Sequence, residues 1–120
     1  MTEVDRITAW EERQQARLAR ARDEIDRAHR EKIAALTWAD RCWDKVQRLD
    51  EYIERLQRFC EISNNDEVIR AKLTLARNDA RRAWASAVRA DFRVKRADIR
   101  LQRAILARDE SSYNLGLLKR

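Results

Sequence analysis

The sequence predicts an all-α fold, an antiparallel two-helix coiled-coil hairpin. Three observations lead there. The chain has no proline and one glycine, Gly116, and these are the residues that interrupt helices. Apolar residues recur at alternating steps of three and four over two long stretches. One short polar segment separates those stretches.

The first stretch runs through Leu18, Ala21, Ile25, Ala28, Lys32, Ala35, Ala39, Cys42, Val46, Leu49, Ile53, Leu56 and Cys60. All but Lys32 are apolar, which is the seam of a left-handed supercoil; a strand would alternate every second residue. The polar segment Ile62-Ser63-Asn64-Asn65-Asp66-Glu67 follows. Ser and Asn compete for backbone hydrogen bonds and favour caps and turns. Ser63 and Asp66 have the spacing of a capping box, and Asp66 and Glu67 suit the positive end of a new helix. The second stretch is Ile69, Leu73, Ala76, Ala80, Ala83, Ala87, Ala90, Val94, Ala97, Leu101 and Ala104. Beyond Arg108 the pattern weakens, and Ser111, Ser112, Asn114 and Gly116 suggest a frayed end. The expected bounds are therefore a first helix over about 3–61, a turn over about 62–65, a second helix over about 65–110 and a frayed tail over 111–120, all in one domain.

A break this short is the length of an antiparallel helix connection. Folding about it pairs seam positions whose numbers sum to 129, so that Cys60 faces Ile69, Cys42 faces Ala87 and Ile25 faces Ala104. Large residues then often face small ones. Lys32, opposite Ala97, is expected to reach solvent beside Asp98. Cys42 and Cys60 lie on one helix ~27 Å apart at 1.5 Å per residue, too far for a disulfide between them.

The composition sets limits on function. Charged residues make up 40% of the 120 positions, with the alanine, arginine, glutamate and leucine usage of a long helix. No apolar run approaches the ~20 residues of a membrane span, and Met1 to Arg6 lacks the features of a signal peptide, so a cytoplasmic location is expected. Residues 1–62 hold 13 Lys/Arg and 14 Asp/Glu, whereas residues 63–120 hold 14 and 7. The second helix is therefore the basic one. One histidine, His29, and two distant cysteines do not make a zinc site. There is no glycine-rich phosphate loop, no His-x-x-x-His pair and no nucleophile elbow. A two-helix hairpin also offers no dry pocket for convergent polar groups. The expectation is a protein that is not an enzyme and uses no cofactor or metal.

Several large residues lie off the seam: Trp10, Ile33, Leu36, Trp38, Trp43, Tyr52 and Phe59 in the first helix, and Trp84, Val88, Phe92, Ile99 and Leu106 in the second. Trp43 and Trp84 each follow a seam residue and should meet across the hairpin, thickening an alanine-rich core. Trp84, Val88, Phe92, Ile99 and Leu106, spaced four, four, seven and seven, form a stripe on the outer face that a two-helix hairpin cannot bury. Such a stripe marks a surface for a protein partner or a second copy; the plainer alternative is that the terminal segments fold back over it. Arg89, Arg93 and Arg96 stand among a wider set of arginines around it and complete the expected partner-binding set. A solvated charged face is the ordinary reading of such a set. Acids of the first helix, Asp23, Glu24, Asp40 and Asp44, are expected to consume part of the excess.

A short arginine-rich hairpin with one polar turn, and stretches such as Arg17-Leu18-Ala19-Arg20-Ala21-Arg22-Asp23-Glu24-Ile25, resembles the central-stalk proteins of type III secretion and flagellar export over the whole chain. The resemblance implies a coiled-coil stalk whose paired chain ends insert into a hexameric export ATPase and contact the export gate, with contacts near Trp10 and Leu106. Secreted helical hairpins of the Trp-x-Gly type have a similar size, but their turn motif is replaced here by Ser63-Asn64-Asn65. Two function classes follow from the residues: a structural or interaction protein, and a nucleic-acid-binding hairpin using the basic helix, with Phe92 and Trp84 as stacking groups.

Overall fold

The computed structural model describes residues 2–119 and contains two helices, α1 (Glu3–Ile62) and α2 (Glu67–Leu118). They pack against each other as an all-α antiparallel hairpin, the expected fold. Contacts divide the chain into two compact units. The turn-side unit is Ala34–Val94, and the chain-end unit combines residues 1–33 with residues 95–120.

The seam residues read from the sequence hold the core in each unit, and none of them is exposed. In the turn-side unit Val46 packs with Ala83 and Ala87, flanked by Cys42, Trp43 and Leu49. A second layer joins Leu56, Leu73 and Ala76, flanked by Ile53 and Ile69. Val46 with Ala83 and Leu56 with Leu73 both follow the register in which paired numbers sum to 129. In the chain-end unit Ala21, Ala28, Ala97, Leu101 and Ala104 are buried. Lys32 leaves the seam there, and its ammonium meets the Asp98 carboxylate at 2.8 Å. Cys42 and Cys60 are free thiols, half-buried and buried.

The turn is built by two side chains, Ser63 and Asp66, and by two unusual backbone conformations. Asn64 and Asn65 have φ of 52° and 62°, the left-handed region that asparagine tolerates better than most residues. The Asn65 amide reaches back to the Cys60 carbonyl at 2.9 Å, a six-to-one bond that closes the last turn of α1. Ser63 serves the same end, donating its hydroxyl to the Phe59 carbonyl at 2.6 Å. It therefore closes α1 and does not open α2, contrary to the capping-box expectation. Asp66 is the N-cap of α2: its Oδ1 accepts from the Val68 and Ile69 amides at 2.8 and 3.4 Å. Thr2 and Asp5 form a reciprocal cap at the start of α1: the Thr2 amide donates to Asp5 Oδ2 at 3.1 Å and the Asp5 amide to Thr2 Oγ1 at 3.2 Å. The Thr2 side chain, and then its backbone, hold the Asp5 carboxyl below the ordinary carboxylate range.

The frayed tail expected over 111–120 is corrected by the structure, since α2 continues through Leu118. The cause is tertiary. Ser111 is 3% and Gln14 4% exposed, and the Asn114 amide nitrogen donates to Gln14 Oε1 at 3.2 Å. The seam thus goes on with polar residues, and packing overrides the weak helix preference of Ser and Asn. Asp66→Ala removes the cap of α2. We expect a loss of about 1 kcal/mol, read as a lower denaturation midpoint with an unchanged denaturant slope.

Candidate interaction surfaces

With Leu18 and Leu73 as heptad position a, the flanking positions e and g lie on opposite sides of the seam. Position b adjoins e, c adjoins g, and f points furthest away.

On the e side of the turn-side unit, Trp43 and Trp84 meet edge to face, with centroids 4.9 Å apart and an interplanar angle of 88°. The Trp43 indole Nε1 donates to both Asp91 carboxylate oxygens at 3.1 Å. The expected tryptophan contact is therefore made, and it draws Trp84 toward α1, although the residue remains 55% exposed. Val88 is half-buried. Phe92, at position f, is 58% exposed. On the g side, the Arg93 guanidinium lies 4.5 Å over the Trp38 ring, within the usual cation–π range. Arg89, at position c, donates to Ser86 Oγ at 3.2 Å.

In the chain-end unit Ile99 and Leu106 occupy position f with exposures of 50% and 68%. Tyr113 continues their seven-residue spacing at 63% exposed, a member that the expected tail had hidden. Arg96 is exposed at position c. Arg100, at position g, is the hub of this unit: it meets Glu24 at 2.8 Å and Glu31 at 2.6 Å. The Glu24 hydrogen bond, followed by the charges of Glu24 and Glu31, raises the Arg100 pKa above its ordinary value. Of the four acids expected to offset the basic helix, Glu24 does so. Asp44 instead pairs with Arg48 in its own helix at 2.8 Å. Glu31 takes part although the sequence had not singled it out.

The expected set thus divides. Trp84 and Val88 belong partly to the packing of the turn-side unit. Phe92, Ile99 and Leu106 stand outward in their own units, with arginines at the neighbouring c positions. Two grooves lie on the g side. One, of about 400 Å³, has Arg17, Arg20, Arg100 and Arg103, with Glu24 and Glu110, around an alanine floor in the chain-end unit. The other, of about 210 Å³, lies between Trp38, Lys45, Arg82 and Ser86 in the turn-side unit. Among the described residues no helix is long and apolar enough to cross a membrane, and no cluster of His, Cys, Asp or Glu is suited to a metal.

This division predicts different behaviour for two neighbouring aromatics. Trp84→Ala should lower stability by about 1–2 kcal/mol, through the lost ring pair and the buried half of the indole. Phe92→Ala should change it by less than about 0.5 kcal/mol. Chemical denaturation followed by circular dichroism measures both. Compared with known proteins, the chain matches no protein-family model, no curated protein and no solved structure.

Proposed function

We propose that the chain is a non-enzymatic interaction protein that presents the outer face of α2 to a protein partner. Its specific role, on this reading, is a cytoplasmic coiled-coil stalk of a type III export apparatus, engaging the export ATPase and the export gate. The observation that supports partner binding is the row of apolar side chains at position f, including Ile99, Leu106 and Tyr113, at least half exposed on a highly charged protein. Burying such side chains is worth ~1.5–3 kcal/mol each, a driving force that the hairpin itself leaves unused. Interfaces concentrate energy in aromatic and arginine residues, and both border this row. The stalk role is supported by the resemblance and by exposed apolar residues near the two helix ends, Glu3 in α1 and Leu118 in α2. Val4, Ile7, Leu117 and Leu118 are exposed there.

The test is co-elution of the purified chain with the host's export ATPase and with the cytoplasmic domain of the export gate, for the native sequence and for Phe92→Ala combined with Ile99→Ala. We expect a complex that the double variant weakens about tenfold or more, with its melting midpoint unchanged. No complex with either component would reject the stalk role. A lowered melting midpoint with intact binding would make the row structural and reject the partner surface.

A further inference from the structure

Charge in the turn-side unit is sorted by face and not only by helix. At positions c and g, α1 contributes Arg41, Lys45, Arg48 and Arg55, all exposed. At the same positions α2 contributes Lys72, Arg82, Arg89 and Arg93, also exposed. Asp79 is the one acid at these positions of the unit. Positions b and e are the reverse, with Asp40, Asp50, Glu54, Glu61, Glu67 and Asp91 against Arg70, Arg77 and Arg81. The contacts verify the sides: Arg93 covers Trp38, and the 210 Å³ groove joins Trp38 and Lys45 to Arg82 and Ser86, whereas Trp43, Trp84 and Asp91 meet on the other.

Aromatic residues interrupt the basic face. Position g of α1 reads Trp38, Lys45, Tyr52, Phe59. Tyr52 is 38% and Phe59 60% exposed, so part of each ring faces solvent between the arginine rows. Trp84, a plausible stacking group by sequence, lies on the acidic side and is excluded from this face.

We infer that the c/g face of the turn-side unit binds single-stranded nucleic acid, the phosphates lying along the two basic rows and bases stacking on Tyr52 and Phe59. The two rows supply charge neutralisation along a track of ~21 Å from Arg41 to Arg55. Flat rings set among arginines suit the π-faces of unpaired bases, which a duplex keeps stacked inside. An acidic partner helix would instead call for apolar side chains at steps of three and four. Here the aromatics are a full heptad or two apart, and of the exposed large apolar residues at position c, Ile62, Val68 and Leu75, only Ile62 stands three positions from a ring. This inference uses a different face from the protein-binding row and does not rest on it.

Fluorescence anisotropy of labelled oligothymidylate and oligouridylate, against a mixed-sequence duplex and polyglutamate, tests it on the full chain. We expect both single strands to bind more tightly than the duplex or polyglutamate, with affinity falling as salt rises. Arg82→Glu with Arg89→Glu should weaken single-strand binding about tenfold or more. Arg70→Glu with Arg77→Glu makes the same change in net charge on the opposite side and should cost less than about threefold. Arg82→Gln with Arg89→Gln should flatten the salt slope by roughly 1.4, at ~0.7 per phosphate contact. It also serves if the glutamate pair loses helicity. Tyr52→Leu with Phe59→Leu keeps apolar bulk and removes the rings; about fivefold weaker binding is expected. Equal losses from the two charge-reversal pairs, or no loss from the leucine pair, would overturn the proposal. Tighter binding of polyglutamate would overturn it in favour of an acidic protein, and tighter binding of the duplex would overturn the stacking.

Discussion

Small residues at the seam are the constraint on which the other features depend. Four seam positions of α1 and seven of α2 are alanine, and no large side chain among the described residues is fully buried. Alanine layers let two helices approach closely but remove little apolar surface per layer. Two consequences follow. Stability must accumulate over many layers, which accounts for helices of 60 and 52 residues where a globular domain would use far shorter ones. The flanking positions must also add contacts that the seam cannot. Trp43 with Trp84 and Asp91 does so on one side of the turn-side unit, and Trp38 with Arg93 on the other. In the chain-end unit the flanks use charge, through Arg100 with Glu24 and Glu31.

The same sorting explains why the charge of α1 misleads when it is only counted. Its first 62 residues are close to neutral, yet acid–arginine pairs recur at positions b and c: Asp5-Arg6, Glu12-Arg13, Asp26-Arg27, Asp40-Arg41 and Glu54-Arg55. Adjacent in sequence, these residues project about 100° apart around a helix of 3.6 residues per turn. The helix is neutral in sum and polarised across its width. In α2 the c positions are arginine without matching acids at b, Arg82 and Arg89 in the turn-side unit and Arg96 and Arg103 in the chain-end unit.

Much of the fold was legible because period 3.5 is a strong signal and the interruption at 62–66 is its only central break. The seam, the register, the tryptophan contact and the Lys32–Asp98 pair all follow from stepping through the heptads. The misses have two causes: a distant partner that overrides local preference, and a local bond that runs the opposite way along the chain. Ser111, Asn114 and Gly116 look like a helix stop until Gln14 is seen to bond Asn114 from the other helix. Ser63 looks like a cap for the helix ahead of it, but its hydroxyl turns back to Phe59. The surfaces were less legible because one four-and-seven spacing runs through residues with different roles. Spacing alone does not distinguish position e, where the Trp84 ring meets Trp43, from position f, where Phe92 is 58% exposed. Heptad position separates them, and joins Tyr113 to Ile99 and Leu106.

The turn also bears on the order in which the chain can fold. Its left-handed asparagines and the Asp66 cap join the end of α1 to the start of α2 through local bonds. The pair Gln14 and Asn114, by contrast, is separated by 100 positions. Each layer formed from the turn outward shortens the free loop that the next must close, so closure is a series of small steps and not one large entropic loss. Helix growth takes nanoseconds per residue and hairpin loops close fast, which makes zippering from residues 62–66 the inexpensive route. Chain-end layers are then the last to assemble and the first to open.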